Sequence, residues 1–301
     1  MKNSFSIWLE AARLRTLPLS VSGIIVGNAL CLKHPDFSIL LFILMLLTAM
    51  AFQIISNFAN DYGDWLKGTD NIDRVGPKRV LQQGLLSRNE MKNGILITSI
   101  ISLLLSIIIV GIAFGSNSPR YLLIFLGFSG LSVWAAISYT VGEKAYGYHG
   151  LGDLFVFLFF GCLSVLGSYF IQLKNLSENV FYLSIALGFL SVGVLNLNNM
   201  RDRQSDALVG KNTLVVLMGK SNSKFYHLIL LIFSIVIIVY VCLSGSNKFF
   251  WLPFIALIPL LLHFRKVFKN KDPKKLDPEL KKLALSIFLF SILIFVTYFI
   301  G

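Results

Sequence analysis

Residues 180–199 read VFYLSIALGFLSVGVLNLNN and run without a break into Met200-Arg201-Asp202-Arg203-Gln204-Ser205-Asp206. Twenty mostly apolar residues suffice to cross a bilayer, and this stretch ends on amides and carboxylates instead of a turn. Outward from it the same pattern recurs. The candidate spans are 16–32, 38–57, 94–114, 121–141, 153–173, 180–199, 226–244, 249–264 and 283–300, nine in all, with those at 16–32 and 249–264 the shortest. Of the 301 residues 55% are hydrophobic and only 14% are charged, well below the roughly 25% charge of a soluble domain. A soluble enzyme is excluded. The sequence predicts an all-α, polytopic membrane protein with residues 1–301 forming one membrane domain.

The net charge of +12 has a topological reading. With alternate connections assigned to opposite sides, all but Lys33, Arg120, Lys174 and Lys248 of the 27 Lys and Arg residues fall on one side. Short cytoplasmic loops collect such residues, so the N-terminus is expected inside, the C-terminus outside and the span number odd. Cys31, Cys162 and Cys242 lie apart within apolar runs and read as packing residues.

The acidic residues concentrate in two similar patches at cytoplasmic span ends, which suggests an internal repeat. One is Asn57-Phe58-Ala59-Asn60-Asp61-Tyr62-Gly63-Asp64, continuing through Gly68-Thr69-Asp70 to Asp73; the other is Asn196 to Asp206. If helical, Asp61 and Asp64 (i, i+3) and Asp202 and Asp206 (i, i+4) each share a face. Like charges held so near a membrane call for a compensating cation, and an all-oxygen donor set of carboxylates and amides suits Mg²⁺. Arg74, Lys78 and Arg79 follow the first patch and Lys211 the second, completing a site able to hold a diphosphate leaving group. Arg88, Lys92, Lys220 and Lys224 read as topology-setting charges, and His227 and His263 as packed or solvated rings. His149 stands apart by its place in the Gly- and Tyr-rich connection Tyr139 to Asp153, on the same cytoplasmic face.

Taken together, these residues resemble the UbiA superfamily of intramembrane prenyltransferases, and within it the MenA branch, the 1,4-dihydroxy-2-naphthoate polyprenyltransferases. The resemblance spans nearly the whole chain. It is carried by Arg13-Leu14-Arg15-Thr16-Leu17-Pro18, by Asn60-Asp61-Tyr62-Gly63-Asp64 with Arg79 downstream, by Tyr139 to Asp153 with Phe159-Phe160-Gly161, and by Asn198-Asn199-Met200-Arg201-Asp202 to Asp206 with Gly210-Lys211. The first family motif, N-D-x-x-D-x-x-x-D, places its last carboxylate at Gly68, where Asp70 or Asp73 must substitute; the second, D-x-x-x-D, is complete in Asp202 and Asp206.

The resemblance implies nine transmembrane helices around a central cavity open to lipid, in a bacterial inner membrane, with the active site on the cytoplasmic side. It implies Mg²⁺-dependent transfer of a polyprenyl group from polyprenyl diphosphate to 1,4-dihydroxy-2-naphthoate, with loss of CO₂ and diphosphate, to give demethylmenaquinone. Asn60, Asp61, Asp64, Asp202 and Asp206, with Asp70, would hold the metal, and Arg15, Arg79, Lys144 and Lys211 the diphosphate. Tyr62, Tyr139, Tyr148 and Asn198 would face the allylic cation or the acceptor, with packing the alternative for each tyrosine. Two competing readings are a related enzyme acting on 4-hydroxybenzoate and, more distantly, a secondary transporter, whose site would lie nearer the bilayer midplane.

Overall fold

The computed structural model describes residues 3–69, 76–115, 118–244 and 248–301. Every regular element among them is helical. In chain order these are α1 (Ser4–Ala12), α2 (Leu17–Ala29), α3 (Ile39–Leu66), α4 (Arg88–Phe114), α5 (Pro119–Ser138), α6 (Gly152–Val156), α7 (Ser168–Leu173), α8 (Glu178–Leu208), α9 (Leu214–Ser244), α10 (Leu257–Lys269) and α11 (Asp277–Ile300). Between α6 and α7 the chain stays helical but winds as a π-helix over Phe157–Gly167, so that Gly152–Leu173 is one uninterrupted span. α9 changes direction at Gly219, whose φ of +78° suits a residue without a Cβ.

Among the described residues seven helices are long and apolar enough to cross a membrane, and they coincide with seven of the expected spans. The segments expected at 16–32 and 249–264 are also helical but shorter. α2 and α10 each have 13 residues, about 20 Å of helix against a hydrocarbon core of about 30 Å. A 3₁₀ turn, Leu252–Ala256, leads into α10.

The long helices start on serine caps: Ser38 accepts from the Leu41 amide, Ser177 from the Val180 amide, and Ser87 forms a capping box with Glu90. Such caps satisfy amides that have no partner within the helix. At the opposite ends lies the feature that builds the site. α3 and α8 do not stop where their apolar runs stop but continue, still helical, through Asp61 and Asp64 and through Asp202 and Asp206.

Glycine contacts set how the π-helical span packs. A Cβ on Gly161 would lie 2.5 Å from the Cα of Gly188 on α8, and Cβ atoms on Gly23 and Gly27 of α2 would meet the Ser164 and Ser168 hydroxyls at 2.0 and 2.2 Å. Small residues let helix backbones approach where no hydrophobic effect drives them together. α8 is the most buried of the seven spans and α5 the least. Near the basic connection between α10 and α11, His227 Nε2 lies 3.1 Å from His263 Nε2, and His263 Nδ1 lies 3.0 Å from Glu279 Oε2, joining α9, α10 and α11. Both rings are fully packed, as the sequence allowed.

Candidate active site

A cavity of about 950 Å³ opens among the helices, with a polar end and an apolar body. Phe125 and Phe128 of α5 and Phe159, Phe160 and Leu163 of the π-helical segment line the body; Asn60, Asp61, Asp64, Arg15, Arg79, Asn198 and Lys211 line the polar end. The wider winding of a π-helix is found at functional sites out of proportion to its rarity, and here it forms a wall of the cavity.

On α3, Asp64 is 2% exposed. Arg79 Nη2 stands 2.7 Å from Asp64 Oδ2, and a second nitrogen of the same guanidinium donates to the Asn60 carbonyl. A buried carboxylate needs such a partner, because an uncompensated charge out of water is costly. Asp61 Oδ2 accepts from the Val80 amide at 3.1 Å, whereas its Oδ1 is buried with no hydrogen-bond partner. Asn60 Oδ1 accepts from Thr140 Oγ1 at 3.3 Å.

On α8, Arg201 grips Asp202 through Nε at 2.9 Å and Nη2 at 2.6 Å. The same guanidinium donates to Asn198 Oδ1 at 2.8 Å and to Asp277 Oδ1, at the start of α11, at 2.6 Å. Arg15 Nη1 lies 3.9 Å from the other Asp277 oxygen. Its position comes from the 3₁₀ turn Leu14–Thr16, which Asn57 fixes by donating to the Ala12 carbonyl and to Thr16 Oγ1. Asp206 Oδ1 is 3.7 Å from Lys211 Nζ.

The two acidic patches meet through the connection between α5 and α6. Tyr148 donates to Asp64 Oδ1 at 2.8 Å and contacts Thr69 Oγ1 at 2.5 Å; its carbonyl accepts from the Asn212 amide, beside Lys211. The Lys211 and Lys67 ammoniums stand 5.4 and 3.8 Å from the centre of the Tyr148 ring, within the range of cation–π attraction. Burial works against the charge on Lys211, but the carboxylates of Asp64 and Asp206 outweigh it and hold the ammonium above its ordinary pKa. Burial, then the charge on Asp64, pushes the Tyr148 phenol up, so the hydroxyl keeps its proton and stays a donor.

Not every expected residue joins this assembly. Asp202 and Asp206 are buried behind the cavity wall, not on it. Tyr139 lines the cavity, but Tyr62 does not; its hydroxyl accepts from Arg88 Nε at 3.1 Å. Lys144 is exposed on its turn and does not line the cavity, and Asp70, like Asp73 and Arg74, lies outside the described residues. Among the described residues no three His, Cys, Asp or Glu side chains converge to hold a metal ion as they stand. The sequence reading missed Arg201 and Asp277 as a pair. The Arg-Asp dipeptide was in view, but nothing local tied it to a helix 76 residues away.

The model of the UbiA prenyltransferase family matches residues 20–298. The chain belongs to that family. Among UbiA relatives, the 1,4-dihydroxy-2-naphthoate octaprenyltransferase of Escherichia coli K12 is 41% identical over 295 residues, covering 98% of this chain and 95% of its own length. The protein of the same name from Haemophilus influenzae is 38% identical, covering 100% and 98% respectively. A UbiA homologue from Archaeoglobus fulgidus, solved bound to GPP and Mg²⁺, shares the fold with a TM-score of 0.69 at 16% identity over 98% of this chain and 100% of that one. The all-helical architecture and the membrane spans are thus those of the UbiA fold.

Proposed function

We propose that the protein transfers a polyprenyl group from polyprenyl diphosphate to 1,4-dihydroxy-2-naphthoate, releasing diphosphate and CO₂ and giving demethylmenaquinol, the hydroquinone form of demethylmenaquinone. The observation that carries this reading is the junction of two carboxylate-bearing helix ends, through Tyr148 and Lys211, at the polar end of a cavity with aromatic walls. The octaprenyltransferase relatives supply the acceptor class.

The donor set fits Mg²⁺. It consists of oxygens only, and Asp61 Oδ1, on the cavity, is buried without a hydrogen-bond partner. Asn60, Asp61 and Asp64 on one side and Asp202 and Asp206 on the other are the residues to hold it, with Asp70 as a further candidate. Mg²⁺ supplies neutralisation of the diphosphate oxygens. Arg79 and Lys211 are placed to take up the negative charge that develops as the allylic C–O bond breaks. Arg15, drawn toward Asp277, is a further cation at the same end; Lys144 would reach the substrate only by moving its turn.

Bond cleavage leaves an allylic cation in the cavity body. Its walls, Tyr139, Tyr146, Phe155 and Phe159, exclude the water that would trap it as an alcohol and offer ring faces that stabilise positive charge. The electron-rich naphthoate carbon attacks the cation, and loss of CO₂ restores the aromatic ring. The concentration of Lys and Arg on one side supports a cytoplasmic N-terminus and a cavity whose polar end faces the cytoplasm.

Mass spectrometry of the lipid product tests the proposal. Purified protein is given Mg²⁺, a polyprenyl diphosphate and equal amounts of 1,4-dihydroxy-2-naphthoate and 4-hydroxybenzoate. The expected product is a prenylated naphthohydroquinone lacking the carboxylate, or the quinone to which air oxidises it; a prenylated hydroxybenzoate that keeps its carboxylate would overturn the acceptor assignment, and no prenylated product from folded protein would overturn the reaction.

A further inference from the structure

A second, smaller cavity of about 120 Å³ lies on the far side of the second acidic patch. Three separate segments close around it: Met200 to Gln204 from the end of α8, Lys220 and Lys224 from the start of α9, and Asn270 to Leu276 from the connection between α10 and α11. Four of the side chains that line it away from the first cavity are basic, namely Arg203, Lys220, Lys224 and Lys271, and no carboxylate lines it. Of the acids in these segments, Asp202 is held by Arg201, and Asp272 Oδ1 accepts from the Lys274 amide at 3.0 Å.

Helix-end contacts account for part of this cluster. Lys224 Nζ donates to the carbonyls of Phe268, at 2.9 Å, and Asn270, and Lys220 Nζ to the Lys271 carbonyl at 3.2 Å. These cap the C-terminus of α10 in the usual manner of a terminal lysine. They do not explain why Arg203 and Lys271 are drawn to the same cavity, since like charges gathered without a counterion repel one another. Arg201, which lines the same cavity, is already paired with Asp202 and Asp277, whereas no carboxylate in the cavity lining answers Arg203 and Lys271.

We propose that this cavity binds a phosphate group. Arginine and lysine converging from three segments suit phosphate oxygens, the arginine by its fork and the lysines as point charges. The flanking surface favours a particular source. Phe225, next to Lys224, and Phe268, whose carbonyl accepts from Lys224, are 60 and 53% exposed, so apolar rings adjoin the charged cavity. A lipid headgroup phosphate could sit in the cavity with its acyl chains along those rings; free phosphate or diphosphate would use the cavity alone. Occupancy by either fastens the end of α8 to α9 and to the connection before α11.

The test is the thermal melting of the full-length protein in a neutral detergent with four additives in parallel: phosphatidylglycerol, phosphatidylcholine, inorganic phosphate and inorganic diphosphate. The additives are compared for the wild type and for R203Q/K271Q, in the absence of Mg²⁺ and prenyl substrate. A lipid source raises the wild-type melting temperature by about 3 °C with phosphatidylglycerol and not with phosphatidylcholine; a free-anion source does so with phosphate or diphosphate. In R203Q/K271Q the rise disappears, and in the charge-preserving R203K/K271R it returns, which separates loss of the site from loss of folding. No rise with any phosphate-bearing additive, or an equal rise in R203Q/K271Q, would overturn the proposal.

Discussion

Tyr148 donates its phenolic hydrogen to Asp64 across 2.8 Å, joining residues 84 positions apart. One bond thereby fixes the first acidic patch against the connection that also receives the Asn212 amide and stands beside Lys211. Tyr148→Phe keeps the ring under both lysines and deletes only the hydroxyl. Product formation should fall about tenfold, the worth of one hydrogen bond to a charged group. An assay of prenylated product, beside a thermal melt that moves by less than about 3 °C, checks it.

Asp202→Asn and Asp206→Asn should still insert and fold but melt a few degrees lower, because each leaves a buried cation with one counter-charge fewer while Arg201 keeps Asp277 and Lys211 keeps Asp64. Product formation should nevertheless drop by at least about a hundredfold in each, the loss expected when a metal-holding carboxylate goes. Near-normal turnover in both variants would remove these residues from the metal set.

Lys211 gives a pH expectation with a definite sign. Its folded pKa lies above the ordinary value near 10.4, so the stability it contributes is present in full below that value and is lost only as pH rises through the still higher folded one. Activity measured from pH 7 to 9.5 should show no decline that Lys211→Arg shifts. Lys211→Met should raise the KM for the polyprenyl diphosphate about tenfold across that whole range.

Two glycines make a matched pair of stability tests. Gly161→Ala places a methyl 2.5 Å from the Gly188 backbone, where neither helix can yield cheaply, and should lower the melting temperature by about 5 °C. Gly127→Ala on α5 meets nothing within 4 Å and should leave melting unchanged or raise it slightly. Equal effects from the two would contradict the close packing of the π-helical span on α8.

Local signals carried much of this architecture. The apolar runs located the seven long spans. The i, i+3 and i, i+4 carboxylate spacings hold as helical spacings because α3 and α8 remain helical past their apolar limits. What stayed hidden is what only folding brings together. The Arg201 bond to Asp277 spans 76 positions, and no periodicity within either segment encodes the other. The π-helical winding of Phe157–Gly167 was hidden for a different reason: its residues are apolar on every face, so hydropathy gives no phase from which to read the pitch.

The cavity is mechanically lopsided. On one flank the π-helical span is notched into α2 through Gly23 and Gly27 and into α8 through Gly161 and Gly188, contacts too tight to loosen without separating backbones. On the other, α5 presents Phe125, Phe128 and Ser132 to the same space, yet Gly127 and Gly130 have open room beside them. One flank is therefore braced backbone to backbone against two helices, whereas α5, the least buried of the spans, has its glycines turned to the outside with no helix behind them.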